Sequence, residues 1–359
     1  MINYNEKPIL IFWETTKACG LTCKHCRASA MESPLEDELS YEESINFVKS
    51  IKNFGKPYPV LILTGGDVMR KNGIEKIIET ANDNGIPVSV SPAATSFLTD
   101  EKLNFFREHR VLSISLSLDG NREMHDWLRG NGVYDKTINL MKKIADKKMK
   151  LQINTVAMKR NIMDLPDMLK LLIDNHINIW EVFFLIQTGR AIDAGDLTPY
   201  EYEDINHWLL FAMHYSMIIR TVESPVLRRI IDEGNENYHG NLYDKLVNKT
   251  VNLLGEPETK NIYLKSSETR DGKGIIFVGQ NGDVYPSGFL PVSVDSIRDN
   301  DIVNIYRNNA ILKKLRIPTN FKEPCGSCTW NDKCGGSRSR AYSYYNDIFA
   351  GDPACINSV

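Results

Sequence analysis

Trp13–Ser29 reads WETTKACGLTCKHCRAS and places Cys19, Cys23 and Cys26 within eight residues at C-x3-C-x2-C spacing. Three thiols this close cannot pair off evenly as disulfides, and their one-turn separations let the sulfurs converge. Three thiolates leave one position of a four-iron cluster without a protein ligand. That is the arrangement of an open, reactive centre rather than a closed, structural one. A zinc knuckle or incidental buried thiols would use the same residues, but the one further ligand type nearby is His25, between two of the cysteines.

The other four cysteines, Cys325, Cys328, Cys334 and Cys355, lie at the far end of the 359-residue chain, with none between Cys26 and Cys325. Thiols kept for packing would be scattered, whereas two clusters in a reducing compartment read as metal binding. Four thiolates saturate a second four-iron cluster suited to electron transfer, and a four-cysteine zinc site satisfies the same spacing. A net charge of −3 makes no electrostatic case for nucleic acid or an anionic membrane. The opening MINYNEKPILIF has too short an apolar run for a signal peptide, and no later stretch reaches transmembrane length. A cytoplasmic protein with neither nucleic acid nor membrane as partner is expected.

Around these clusters the hydrophobic pattern alternates. Short apolar runs at Pro8–Trp13, Pro59–Leu63, Pro87–Pro92, Val111–Leu118, Leu151–Met158 and Ile179–Ile186 read as strands. Helical periodicity separates them at Ser40–Phe54, Gly73–Asn84, Asp100–His109, Tyr134–Lys147 and Leu165–Asn175. Six alternations imply an α/β fold, a partial (β/α)6 TIM-like barrel spanning 8–220, with ligands at the C-terminal strand ends. The pattern predicts helices over Thr198–Ile219 and Ser224–Asp232, and an irregular lid over Asn235–Arg270 within a connector of 221–273. A small C-terminal domain of 274–359 follows. It holds a hairpin (Gly274–Val278 and Asp283–Tyr285) turned at Asn281-Gly282, two short helices and the second cysteine group.

Polar residues collect at the strand ends. Thr64-Gly65-Gly66-Asp67 follows the second strand, where two glycines let backbone approach a ligand closely, or simply turn the chain. Ser91, Thr95, Ser117 and Asp119 end the third and fourth strands and could hydrogen-bond a ribose and a carboxylate, or cap the following helices. Gln152 and Asn154 share one face of the fifth strand, where an inward polar pair needs partners.

The cysteine triplet with Gly65-Gly66-Asp67 resembles the radical S-adenosylmethionine (SAM) superfamily. There the open iron binds the amino and carboxylate groups of SAM and its electron cleaves SAM to a 5′-deoxyadenosyl radical. The chain departs from the usual motifs in two places: His25 stands where an aromatic precedes the third cysteine, and Val68 where a proline follows the acid. The resemblance implies that Gly65, Gly66, Asp67, Ser91, Ser117, Asp119 and Asn154 contact SAM. Phe184 and Leu185 on the sixth strand could flank its adenine, with core packing as the stronger alternative. The segment Cys325–Cys355 resembles the C-terminal auxiliary-cluster domains known as SPASM and, in shorter form, twitch. Its four cysteines leave room for one auxiliary [4Fe-4S] cluster.

The elements FWETTKACGLTCKHCRA, LTGGD, SLSLDG, WEVFFLIQTGR, TVESPVLRR, GDVYPSGFLP and CGGSRSRAY, from about residue 8 to 355, together look like the subgroup containing the alternative haem synthase. That resemblance implies an oxidoreductase that decarboxylates two propionates of iron-coproporphyrin III to vinyls, giving haem b, with a ferredoxin or flavodoxin as electron donor. A tetrapyrrole needs cations for its carboxylates. Arg190, Arg228, Arg229, Arg338 and Arg340 are the candidates, with surface solvation as the alternative for each. His125, His214 and Tyr285 could approach a haem iron or a radical intermediate, although a lone His or Tyr is more often structural. Two other readings stand beside this one. A peptide maturase would use the same radical, though nothing before Pro8 leaves room for a peptide-binding module. A non-catalytic iron–sulfur or zinc protein would have no need of an open iron position.

Overall fold

The computed structural model describes residues 3–191, 195–234, 237–258, 262 and 268–358. Among them, ten strands run in chain order as β1 (Leu10–Glu14), β2 (Val60–Thr64), β3 (Val88–Val90), β4 (Ile114–Ser117), β5 (Leu151–Ala157), β6 (Ile179–Phe184), β7 (Ile218–Val222), β8 (Ile275–Val278), β9 (Asp283–Tyr285) and β10 (Asp295–Ser296). They belong to two compact units that interleave along the chain. One comprises 1–116, 135–151 and 269–317, the other 117–134, 152–268 and 318–359.

In the first unit the strands run in the order β10-β9-β8-β1-β2-β3-β4. β1 is the hub, parallel to β2 with Glu14 opposite Thr64 and parallel to β8 with Trp13 opposite Val278. Ile11, Trp13, Leu61 and Leu63 are fully buried, as the continuous apolar runs of parallel strands require. Helix Tyr41–Ser50 starts at the expected Ser40, which forms a capping box with Glu43: Glu43 N–H donates to Ser40 Oγ at 3.2 Å and Ser40 N–H to Glu43 Oε2 at 2.7 Å. The β8–β9 hairpin forms as expected, with Gly282 at φ +91° in its turn.

The second unit carries β5-β6-β7, all parallel, with Asn154, Glu181 and Arg220 aligned across them. The helix expected to run to Ile219 ends at Ala212 and is followed by β7. Ser216 in the left-handed region breaks it, and the β-branched run Ile218–Val222 then pairs with β6. Within the expected lid, Asn241–Leu254 is a helix. Its start is held from a distance, where Asp204 accepts the Leu242 N–H at 2.9 Å, and Thr250 takes the Trp208 indole N–H at 2.9 Å. Of the same stretch, 235–236, 259–261 and 263–267 lie outside the described residues.

The expected boundaries at 220/221 and 273/274 are not where the units divide. Residues 269–317 join the N-terminal strands through the β1–β8 pair, and 318–359 belong with the second unit. None of the described helices is long and apolar enough to cross a membrane.

Candidate functional site

The first unit builds the cysteine loop directly on the β1–β2 pair. Past the strand ends the ladder continues: Thr15 N–H donates to Thr64 O at 2.8 Å, Gly66 N–H to Thr16 O at 2.7 Å and Asp67 N–H to Ala18 O at 2.7 Å. A Cβ on Gly65 would lie 2.6 Å from Thr16 O, and one on Gly66 2.5 Å from Ala18 O. The glycines therefore admit the close approach of the cysteine loop's own backbone. Glu38 Oε1 accepts from Thr16 Oγ1 at 2.8 Å and Lys17 N–H at 2.9 Å, and the Cys19 N–H donates to Met31 O at 2.7 Å. The loop is thus fixed at both ends.

Within it, the Leu21 N–H points at Cys19 Sγ (3.4 Å) and the Ala30 N–H at Cys26 Sγ (3.4 Å), donors that would stabilise thiolate charge. Burial pushes the Cys19 thiol up to about 11, opposed by the Leu21 N–H and reinforced by Asp67, Cys23 and Cys26. Three crowded thiols shed their protons only when a bound cation offsets the charge, so the donor set fits a metal cluster. Asp67 is fully buried. Its Oδ2 accepts the Thr95 hydroxyl at 2.6 Å and its Oδ1 the Met69 N–H at 3.1 Å, so its carboxylate braces the loop from behind. Burial raises its pKa, countered chiefly by the Thr95 bond. Ser91, half-buried just past β3, gives its N–H to Leu63 O at 2.8 Å. Arg27, missed from sequence, pairs with buried Glu14 at 2.7 Å and lies 4.7 Å over the Phe277 ring. Tyr285 donates to Asp283 at 3.4 Å, and burial pushes its phenol up to about 12.

In the second unit Asp119 is fully buried and accepts Arg129 Nε at 2.5 Å and the Val156 N–H at 2.9 Å, while its own N–H donates to His125 Nδ1 at 3.1 Å. Through these bonds it ties β5 to helix Arg122–Arg129. Leu185 is likewise absorbed, packing with Met124, Leu128, Met158 and Ala191, and Phe184 stacks on Tyr202 at 5.4 Å. Ser117 remains half-buried at the end of β4. Asn154 accepts from Gln152 Nε2 at 2.8 Å, and the same nitrogen donates to Glu181 Oε2 at 2.9 Å. With Arg220 beyond Glu181, these form a polar row across β5-β6-β7. Burial raises the Glu181 pKa, offset first by Arg220. The lone Glu181 inside the apolar run IWEVFF was the available signal for this row.

Of the five candidate arginines, Arg190 is exposed and Arg228 donates to Lys333 O at 3.0 Å. The other three are corrected. Arg229 grips Glu203 at 2.5 Å and Glu233 at 2.6 Å. Arg338 and Arg340 are fully buried: Arg338 donates to Ala350 O at 2.5 Å, and Arg340 pairs with Asp352 at 3.4 Å and gives Glu223 O a bond of 2.9 Å. With these partners inside the protein, the three guanidiniums are structural contacts and not the free cations expected for propionates. His125 is fully buried, and His214 sits in the turn after helix Pro199–Ala212.

Cys325, Cys328, Cys334 and Cys355 line a single small pocket, about 30 Å³ in volume, together with Val226, Pro324 and Gly336. Burial pushes Cys334 up to about 12 and Cys355 to about 11, with the neighbouring cysteines adding to both. Among the described residues no three His, Cys, Asp or Glu side chains close on one point to hold a single metal ion. A four-iron cluster does not require that, since each thiolate takes its own iron.

Residues 13–172 match the family model described as the radical SAM superfamily. The AdoMet-dependent heme synthase of Methanosarcina barkeri (strain Fusaro / DSM 804) is 32% identical over 367 residues, covering 99% of this chain and 98% of the relative. The chain belongs to the radical SAM superfamily. It is an enzyme, and SAM bound at a [4Fe-4S] cluster is the family's co-substrate. The AdoMet-dependent heme synthase of Oleidesulfovibrio alaskensis is 29% identical (96% of this chain, 86% of the relative), and the Fe-coproporphyrin III synthase of M. barkeri 25% (98% and 88%). Among solved structures, Streptococcus suis SuiB bound to S-adenosylmethionine superposes with a TM-score of 0.72 at 14% identity, covering 98% of this chain and 78% of that one. Native anSMEcpe with bound AdoMet gives 0.70 at 17%, covering 97% and 94%. The fold is therefore that of radical SAM enzymes, the partial parallel α/β barrel.

Proposed function

We propose that this radical SAM enzyme decarboxylates the propionates of a tetrapyrrole, iron-coproporphyrin III, to vinyl groups in haem b formation. The observation that carries the reading is the end-to-end kinship with an AdoMet-dependent heme synthase at 32% identity. The [4Fe-4S] cluster and SAM, when bound, supply the radical that takes a hydrogen atom. What remains is to let the propionate carbon expel carbon dioxide and one electron, leaving a C=C bond.

The residues divide this labour. Cys19, Cys23 and Cys26 hold the first cluster, and the loop stitched to Gly65-Gly66-Asp67 keeps them in place. Ser91, Ser117 and Asn154 are our proposed hydroxyl and amide partners of SAM, while Asp67 and Asp119 act as braces. Cys325, Cys328, Cys334 and Cys355 would hold one auxiliary [4Fe-4S] cluster, in a small C-terminal iron–sulfur module of the SPASM or twitch kind, and it would supply a one-electron acceptor there. Arg190 and Arg228 are the candidates for propionate binding, and a ferredoxin or flavodoxin supplies the reducing electron. Guanidinium pairs bidentately with carboxylate, which suits that role.

The test is anaerobic turnover of the reduced, reconstituted protein with SAM and iron-coproporphyrin III. Mass spectrometry should show stepwise loss of carbon dioxide, each with net removal of hydrogen and one 5′-deoxyadenosine. If no tetrapyrrole reacts while a peptide stimulates SAM cleavage, the haem reading falls and a maturase takes its place.

A further inference from the structure

Arg338 opens helix Arg338–Tyr345 and is 0% exposed. Its Nη1 donates to the carbonyls of Ala350 at 2.5 Å and Ile348 at 3.4 Å, and its Nη2 to Cys325 Sγ at 3.6 Å. The guanidinium lies 4.3 Å over the Phe321 ring. Arg340, two residues on, has Asp352 as counter-ion, and among the described residues no carboxylate stands in that relation to Arg338. The Asp347 carboxylate feels the charge of Arg338 but is bonded to Lys322, so a contact partner for this buried cation has to be sought among the neighbours it does touch. The neighbour able to carry negative charge is Cys325.

The backbone is shaped for that contact. Gly336 sits at φ +64°, and a Cβ there would meet Arg338 Nη2 at 2.7 Å and Cys325 Sγ at 2.9 Å. Only a glycine leaves the gap through which guanidinium reaches sulfur. The Asp352 N–H also points at Cys325 Sγ, at 3.4 Å, so this one sulfur collects two donors.

We propose that Arg338 is the counter-ion and potential-setting residue of the four-cysteine centre, which deepens, and rests on, the auxiliary-cluster reading above. Its charge and its N–H···S bond favour the cluster carrying one more electron, because hydrogen bonds to sulfur and local charge set the potentials of such clusters. A cluster held by the four cysteines would supply the one-electron acceptor needed when the propionate radical loses carbon dioxide and one electron to form the vinyl group. Arg338 makes that acceptance favourable.

The experiment is an anaerobic, EPR-monitored redox titration with dithionite on the reconstituted full chain, as wild type, R338K and R338Q, with iron and zinc counted in each. R338Q should lower the reduction equilibrium of the auxiliary signal at least tenfold, which is about 59 mV for one electron. R338K should fall between the two, because it keeps the charge and loses the fork. Full iron with an unshifted midpoint in both variants overturns the proposal, and so does loss of the auxiliary irons from both, which would make Arg338 a scaffold. Zinc in place of auxiliary iron in the wild type overturns the reading beneath it, and that result appears before any substitution is made.

Discussion

Gly66→Ala tests whether the cysteine loop is held by its close approach to the end of β2. The added Cβ would lie 2.5 Å from Ala18 O and 2.6 Å from Lys17 O, where ordinary contact begins at 3.4 Å. One of the two backbones must retreat by about 0.9 Å to restore contact distance. That stretches the 2.7 Å bonds from Gly66 N–H to Thr16 and from Asp67 N–H to Ala18. At about 1 kcal/mol each, with about 1–2 kcal/mol of overpacking added, the loop loses about 3–4 kcal/mol. Expressed wholly at the site, this weakens SAM binding by about 100- to 1,000-fold. Equilibrium dialysis of SAM, 5′-deoxyadenosine formation and an iron count should all fall, with the irons of the C-terminal cysteines retained. Wild-type SAM affinity and cleavage in the variant would refute the argument, since no loop displacement could then have occurred.

Further outcomes follow from the same geometry. Cys23→Ala should abolish 5′-deoxyadenosine formation and leave the auxiliary irons in place; unchanged cleavage would remove the open iron site from the account. Replacing Cys328 and Cys334 with Ala should remove about four irons per chain while SAM is still cleaved without product; loss of zinc with iron unchanged would contradict it. Asp119→Asn should cost about 3 kcal/mol by breaking the ion pair with Arg129, so the midpoint of thermal unfolding should drop much more than SAM affinity. The reverse pattern would return Asp119 to the ligand's side. Glu43 has its pKa lowered from 4.5 to about 2, first by its bond with Arg298 and then by the Ser40 N–H. Because the folded value is the lower one, this stabilisation is complete above pH 4.5 and disappears as pH falls toward 2. Thermal melts of wild type and Glu43→Gln should converge across that window, and parallel curves would remove Glu43 from the acid response.

Much of this protein is legible in its sequence because the signals are local. Cysteine spacing in Trp13–Ser29, the alternation of apolar strands with amphipathic helices, and the Ser40–Glu43 cap each depend on residues a few positions apart. Those features determined the barrel class, the two sulfur sites and the place of Gly65-Gly66 beside the first.

Other features depend on partners that arrive from far along the chain. β8 lies about 260 residues after β1 yet extends the same sheet, because the apolar run Ile275–Val278 needs a buried neighbour that its own hairpin cannot supply. Helix Asn241–Leu254 has no cap among its adjoining residues and takes one from Asp204, so a local reading sees only an irregular stretch. An arginine in SRSRAY reads as a surface cation on composition alone. Whether its guanidinium meets water or the sulfur of Cys325 is decided by where Gly336 turns the backbone and by which carbonyls the fold brings to it. Burial and hydrogen-bond partners belong to the assembled chain, because the cost of desolvating a charge is set by every neighbour around it and not by its place in the sequence.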